Sequence, residues 1–346
     1  MEIIGGLDVH RKQITFDYVR MDTGEVKTGK ISPATREHLR EWLSRFEDTE
    51  EAAAFALEAT TGWRFVVEEI ERAGCEAHLA EPAETRTLRG KKKRAKTDRL
   101  DARHLRELLR QGRLPESWIP PSHIQDLRTL VRMRKSLVDE RTAFLQRIHA
   151  QLFHHGYPQE RNLLSKEPRA WLEEFELPEA ARKSIELSLR MIDYINEELK
   201  PLEDEIRSFA RRQVGCKALM GHYGIGELTS VAILAELGDT RRFSSSRQAV
   251  RYAGLDVTVE SSDDKRAAGK LSRQGPPTLR WAAFEAAQCA WRKGSPDHDY
   301  YLESKERLGG NRACLSIARK LIRRAHHTLR ELGDEAFQPV PCEVRV

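Results

Sequence analysis

The chain has 346 residues, of which 39% are hydrophobic and 33% charged, with 59 Lys and Arg against 54 Asp and Glu. No run approaches the ~20 apolar residues that span a bilayer. The 21 Gly and 14 Pro exclude a collagenous or low-complexity chain, and the length sets an expectation of two or three domains.

The opening segment reads as α/β. Residues 3–9, 13–19 and 25–31 are short β-rich runs split by polar turns. Leu39, Trp42, Leu43 and Phe46 give residues 35–46 helical spacing. A buried strand at 52–58, a helix at 63–73, a strand at 75–80 and helix from about 97 to 111 follow. A meander followed by strand–helix–strand predicts one mixed sheet with helices packed on it.

Charge is unevenly spread. Residues 86–113 hold twelve Lys and Arg against three acids, a field that favours a polyanion such as nucleic acid. Arg89, Lys91, Lys92, Lys93, Arg94 and Lys96 form its densest part.

Pro120 and Pro121 close the first segment. Up to about 213 the pattern is long-helical, with a Gly-Tyr-Pro break at 156–158. Ile185, Ile192, Leu199 and Ile206 recur every seven residues, and Ile195, Leu202 and Phe209 lie between them. This predicts a coiled-coil helical hairpin or an oligomer contact, bent at Pro201. Residues 220–237 read as a helix-hairpin-helix, in which Gly224 and Gly226 make the turn and the next helix offers N–H groups to phosphate. Helix is expected at 246–255, 278–292 and 311–332, with a polar loop at 256–277. Five scattered cysteines without a CxxC pair and an N-terminus unlike a signal peptide indicate a reducing cytoplasm.

Four carboxylates carry the chemistry. Asp8 and Glu58 end otherwise apolar strand runs, where unpaired charge is costly. Asp98 and Asp101, three apart, share one helix face. Four converging carboxylates call for divalent cations, and an all-oxygen donor set favours Mg²⁺ or Mn²⁺. In the 256–277 loop, Ser261 and Ser262 sit among Lys265, Arg266, Lys270, Arg273 and Arg280. A hydroxyl among cations is suited to attack on a phosphodiester, and a plain Ser-rich turn has the same look.

The motifs GLDVH, LEATTGW, KTDRLDAR, GIGELTSVAILAELGD, RFSSSRQAVRYAGL and LSRQGPPTLRWA occur in that order. Together they resemble the insertion-sequence transposases of the DEDD class, the bridge-RNA-guided recombinases. The resemblance implies an RNase H/RuvC-like mixed sheet domain (1–118), a coiled-coil hairpin (119–213) and a mostly helical transposase domain (214–346). It implies Mg²⁺ on Asp8, Glu58, Asp98 and Asp101, and a serine nucleophile that forms a transient phosphoserine link to DNA. Counting eight residues from Gly254 gives Ser262, with Ser272-Arg273-Gln274-Gly275 matching the motif that follows. Asp263 stands where the family has Gly, so Ser261 and Ser262 both remain candidates. Donor and target DNA, a structured guide RNA and a dimer that assembles to a tetramer are the implied partners, in the bacterial nucleoid. The alternative is a Mg²⁺-dependent junction nuclease of RuvC type without serine chemistry.

Overall fold

In a computed structural model of the chain, the described residues are 2–47, 52–88, 97–158, 163, 169, 171–257, 261–262, 265–266 and 271–338. They form two compact units, Met1–Ile119 and Pro120–Val346.

The first unit is built on a five-stranded sheet of β1 (Ile3–Val9), β2 (Ile14–Arg20), β3 (Val26–Ile31), β4 (Ala53–Glu58) and β5 (Glu76–Ala80), in the order β3-β2-β1-β4-β5. The pairs β1/β2 and β2/β3 are antiparallel, while β1/β4 and β4/β5 are parallel. The sheet is therefore mixed, as the strand pattern predicts.

Side-chain alternation sorts β1 into two faces. Ile3 and Leu7 join Phe55 and Leu57 of β4 in a core closed by α1 (Arg36–Leu43) and α2 (Trp63–Arg72). Tyr18, Trp42, Phe46 and Phe55 pack there largely edge to face. The other face is covered by α4 (Asp98–Arg110), whose Leu105 packs on Ala56 and Ala80. A short helix not expected from the sequence, α3 (Pro82–Leu88), precedes it.

Gly6 explains how closely α4 lies. A Cβ there would sit 2.0 Å from the Ala102 carbonyl oxygen and 2.7 Å from the Arg106 nitrogen. Opposite Gly6 in the β1/β2 register stands Asp17, and the guanidinium of Arg106 donates to its carboxylate. Both side chains are buried. A glycine and an ion pair thus clamp α4 to the sheet.

The second unit is helical. Helices α5 (Ser122–His154) and α6 (Glu179–Arg212) pair along their length. Arg134 donates to Glu203, and Arg141 to Asn196, so the two run antiparallel. The α6 seam is Ile185, Ile192, Ile195, Leu199, Leu202, Ile206 and Ala210. Ala210 takes the last buried position, and the expected Phe209 is half-buried beside it. Helix α6 runs through Pro201 without ending.

Beyond it lie α7 (Val214–Met220), α8 (Glu227–Leu237), α9 (Ser246–Tyr252), α10 (Pro277–Ala287), α11 (His298–Leu308) and α12 (Gly310–Leu332). Every residue of α8 from Thr229 to Leu237 is buried, the mark of a central helix. Its Glu236 is held by Arg132 of α5 through two hydrogen bonds of 2.7 and 2.8 Å. Among the described residues, no helix is long and apolar enough to cross a membrane.

Candidate active site

Leu7 and Leu57 are register partners in the parallel pair β1/β4. The next residue of each strand, Asp8 and Glu58, therefore turns to the opposite face, the one α4 covers. Asp98 and Asp101 occupy the first turn of α4, whose N-cap Thr97 accepts from the Leu100 amide. Acids there also complement the helix dipole, which gives them a structural reason to exist beside any catalytic one.

The tightest group is Asp8, His10 and Asp98, whose ligand atoms all lie within 4.8 Å of one another. His10 Nε2 is 3.0 Å from Asp8 Oδ2 and 3.6 Å from Asp98 Oδ1. Gln13 Nε2 donates to Asp98 Oδ2 at 3.0 Å. Burial pushes the Asp8 carboxyl above the usual carboxylate range; His10 pulls it down, and the charges of Asp101 and Asp98 push it up again. Asp101 is buried beneath the helix turn, while Glu58 stands at the end of β4, one strand from Asp8.

This donor set fits a hard divalent cation. The carboxylates are oxygen donors, and Asp8 is desolvated among like charges, so a cation would relieve the repulsion that the fold imposes. His10 Nε2 lies between two of the acids and lines the same site.

His10 and Gln13 are the residues that sequence reasoning missed. A histidine two residues on from a strand carboxylate shares its face, and that signal stood in GLDVH. Gln13 gave none, because its partner lies 85 residues away.

In the second unit, Ser261 pairs with Arg266 and Ser262 with Lys265 in a two-stranded ladder. Val257 bridges Leu271 at its base. The described residues of the polar loop therefore form an antiparallel hairpin ladder that includes Ser262. Ser272 donates to the Asp256 carboxylate, and its amide to the Asp256 carbonyl at 3.1 Å. A Cβ on Gly275 would lie 1.8 Å from the Tyr252 oxygen, and one on Gly254 2.4 Å from the Gln274 oxygen. The two glycine motifs flanking the hairpin are thus pressed backbone to backbone. Arg280 donates to the Ala253 carbonyl at 3.3 Å. Burial and the adjacent Arg273 hold Arg280 below the ordinary arginine value.

The helix-hairpin-helix expected at 220–237 falls on the end of α7 (Val214–Met220), a turn and α8 (Glu227–Leu237). The Gly226 amide already donates to Thr229 Oγ1 at 2.9 Å, and Glu227 beside it accepts from Arg211 at 2.6 Å. Gly226 thus has no free N–H for a phosphate, and Gly224 is packed against Ala286. Arg89, Lys91, Lys92, Lys93, Arg94 and Lys96 lie outside the described residues.

Comparison with known proteins places both regions. A family model described as "Transposase", of the DEDD type found in IS110 elements, matches residues 5–155. A second, "Transposase IS116/IS110/IS902 family", matches residues 216–302. The chain belongs to the IS110/IS116 transposase family. It is 28% identical over 239 residues, 65% of its length, to the transposase for insertion sequence element IS1111A of Coxiella burnetii. It is 30% identical over 57% of its length to the putative transposase y4qE of Sinorhizobium fredii, and 25% identical over 71% to the transposase for IS1328 of Yersinia enterocolitica. The matched stretches span 64% of the first relative and 48% of the second. The acid cluster falls within the first family model and the serine hairpin within the second.

Proposed function

We propose that the protein is the DNA recombinase of a mobile insertion sequence. Its sheet unit acts as an RNase H/RuvC-like domain, and its helical unit carries a coiled-coil hairpin and the serine. The observation that carries the reading is the meeting of Asp8 and Asp98 through His10, with the charge of Asp101 acting on Asp8, in a chain whose family is that of transposases.

Asp8, Glu58, Asp98 and Asp101 would hold Mg²⁺, with Mn²⁺ as a substitute. The bound ion would neutralise charge on the phosphodiester and its leaving oxygen. Ser262 Oγ attacks the phosphorus and breaks the P–O bond to one strand, and the leaving oxygen departs with a proton. The result is a phosphoserine ester that stores the bond energy. Attack by the hydroxyl of a second strand reforms the phosphodiester and returns the serine, so no nucleotide cofactor is needed. Lys265, Arg266, Arg273 and Arg280 supply positive charge around the hairpin. Donor and target DNA are chosen by pairing with a structured guide RNA, whose backbone suits the basic tract around Arg89–Lys96. A homodimer that assembles to a tetramer would bring serine and acids together from different chains.

The test is a denaturation-resistant protein–DNA adduct formed with Mg²⁺ and copurified RNA. Wild type should trap it, and Ser262→Ala and Asp8→Ala should not. Mg²⁺-dependent cutting that persists in Ser262→Ala with no adduct at any time would leave a junction nuclease as the correct reading.

A further inference from the structure

The turn between α7 and α8 is seated on a second segment. A Cβ on Gly224 would lie 2.3 Å from the Ala286 oxygen of α10 and 3.4 Å from Cys289 Cβ. One on Gly294 would lie 3.8 Å from the Tyr223 hydroxyl. Tyr223 therefore adjoins Gly294, which ends the sequence Trp291-Arg292-Lys293-Gly294.

The composition of that surface is unusual. Trp291 is 61% exposed and Tyr223 38%, although tryptophan is among the most buried residue types on average. Trp291 closes the 3₁₀ turn Gln288–Trp291, whose Ala290 is buried. The indole is thereby presented outward on an anchored turn. Arg292 and Lys293 follow it, both exposed. Among the described residues neither is engaged by an acid. Asp297, the next acid along the chain, is turned inward onto Arg324 and Lys320. Two exposed aromatic side chains and two exposed cations thus sit on the two segments that meet at the Gly294–Tyr223 approach.

We propose that Tyr223, Trp291, Arg292 and Lys293 form a stacking platform for an unpaired nucleic-acid strand. Bases have π-faces that stack on aromatic side chains irrespective of sequence, and the cations take the intervening phosphates. A duplex hides its base faces, so the platform prefers a single strand. This rests on the proposed function in that the ligand is nucleic acid. It adds a site that neither the acids nor the serine hairpin supplies, suited to a strand opened during exchange.

The experiment is fluorescence anisotropy of the full chain with a labelled oligothymidylate of about 20 nucleotides and with a duplex of the same length. Trp291→Ala should weaken single-strand binding by about 5- to 150-fold. Trp291→Phe, which keeps an aromatic face, should stay within about threefold of wild type. The pair Arg292→Gln and Lys293→Gln should reduce the salt slope for the single strand by about 1.4. Duplex binding should change little with Trp291→Ala. Wild-type oligothymidylate affinity in Trp291→Ala would overturn the proposal. So would an equal loss on duplex, or a change of oligomeric state in Trp291→Ala with unchanged affinity, which would make the patch a protein contact. Each of these outcomes leaves the cleavage reading intact. Conversely, a Trp291-dependent single-strand preference in a protein that forms no serine adduct would sink the recombinase and keep the platform.

Discussion

Replacing Gly6 with Ala tests whether α4 positions the acids. The added methyl would lie 2.0 Å from the Ala102 carbonyl oxygen, where ordinary contacts begin at 3.4 Å. Its other neighbours are the Arg106 amide at 2.7 Å and Leu105 Cβ at 3.0 Å. Two of the three are helix backbone, so no side chain can swing aside and the helix must retreat by about 1.4 Å. Overpacking of this kind costs about 1–3 kcal/mol, or roughly 4–12 °C in the melting of a unit of this size. The same retreat carries Asp98 and Asp101 away from Asp8, and a misplacement near 1 Å costs about 100-fold in rate. Gly5→Ala is the control. Its methyl meets the Phe55 ring at 2.5 Å on the opposite face, so it should destabilise while leaving the acids in place. The assay is Mg²⁺-dependent strand cleavage per folded molecule, with melting followed by circular dichroism. The reasoning fails if Gly6→Ala cuts as well as Gly5→Ala at equal folded fraction.

Asp17→Asn should cost about 1–3 kcal/mol, because it removes the buried carboxylate that Arg106 donates to and leaves that guanidinium with Glu107, at 2.6 Å, as its anionic partner; a urea midpoint within error of wild type would refute this. Asp297→Asn should cost about 1–3 kcal/mol, towards the low side because Arg324 and Lys320 are each about one-third exposed. For the same residue, burial works to raise the carboxyl, but hydrogen bonds from Arg324 and Lys320 outweigh it and hold it below its ordinary value. Its stabilisation is therefore complete above the unfolded value of about 3.9 and is lost as pH falls through the lower folded-state value. Thermal melts between neutral and acid pH should show that loss in wild type and a smaller one in Asp297→Asn. Equal slopes would count against the clamp.

The strands were legible because their apolar runs are short and bounded by turns. The starts of β2 and β3 fall one residue later than the pattern predicts, where the chain is still leaving the turn. The long helices were legible through the seam of α6. What escaped had no periodic signal. Helix α11 buries Tyr301 and Ser304, a pair too sparse and too polar to read as a stripe. The Ser261–Arg266 ladder was hidden because its four paired residues are polar, and its pairing depends on Val257 and Leu271 closing the base. Helix α12 is rich in cations, among them Arg312, Arg319, Lys320, Arg323 and Arg324. Lys320 and Arg324 clamp Asp297, and Arg319 donates to the Leu255 carbonyl at 2.6 Å. A cation that holds a distant carbonyl or carboxylate looks in sequence like one that waits for phosphate.

The acids were legible for a physical reason that also explains how Asp8 and Asp98 come together. Charge inside an apolar strand stands out, and Asp8 and Glu58 both end such runs. Strand β1 has a parallel neighbour in β4 and an antiparallel one in β2. Its carboxyl end therefore adjoins the carboxyl end of β4 on one side and the β1–β2 turn on the other. Glu58 arrives from the first and His10 and Gln13 from the second, the turn being closed by the His10 amide on the Gln13 carbonyl at 2.9 Å. Ligand sites of open α/β sheets lie beyond the carboxyl ends of their strands. Here that edge is roofed by the N-terminus of α4, so the helix that Gly6 draws in delivers Asp98 and Asp101 to the point where the strand ends converge. Moving α4 would therefore separate Asp98, with its Gln13 contact, from Asp8 and His10, which ties the geometry of the site to the packing of one glycine.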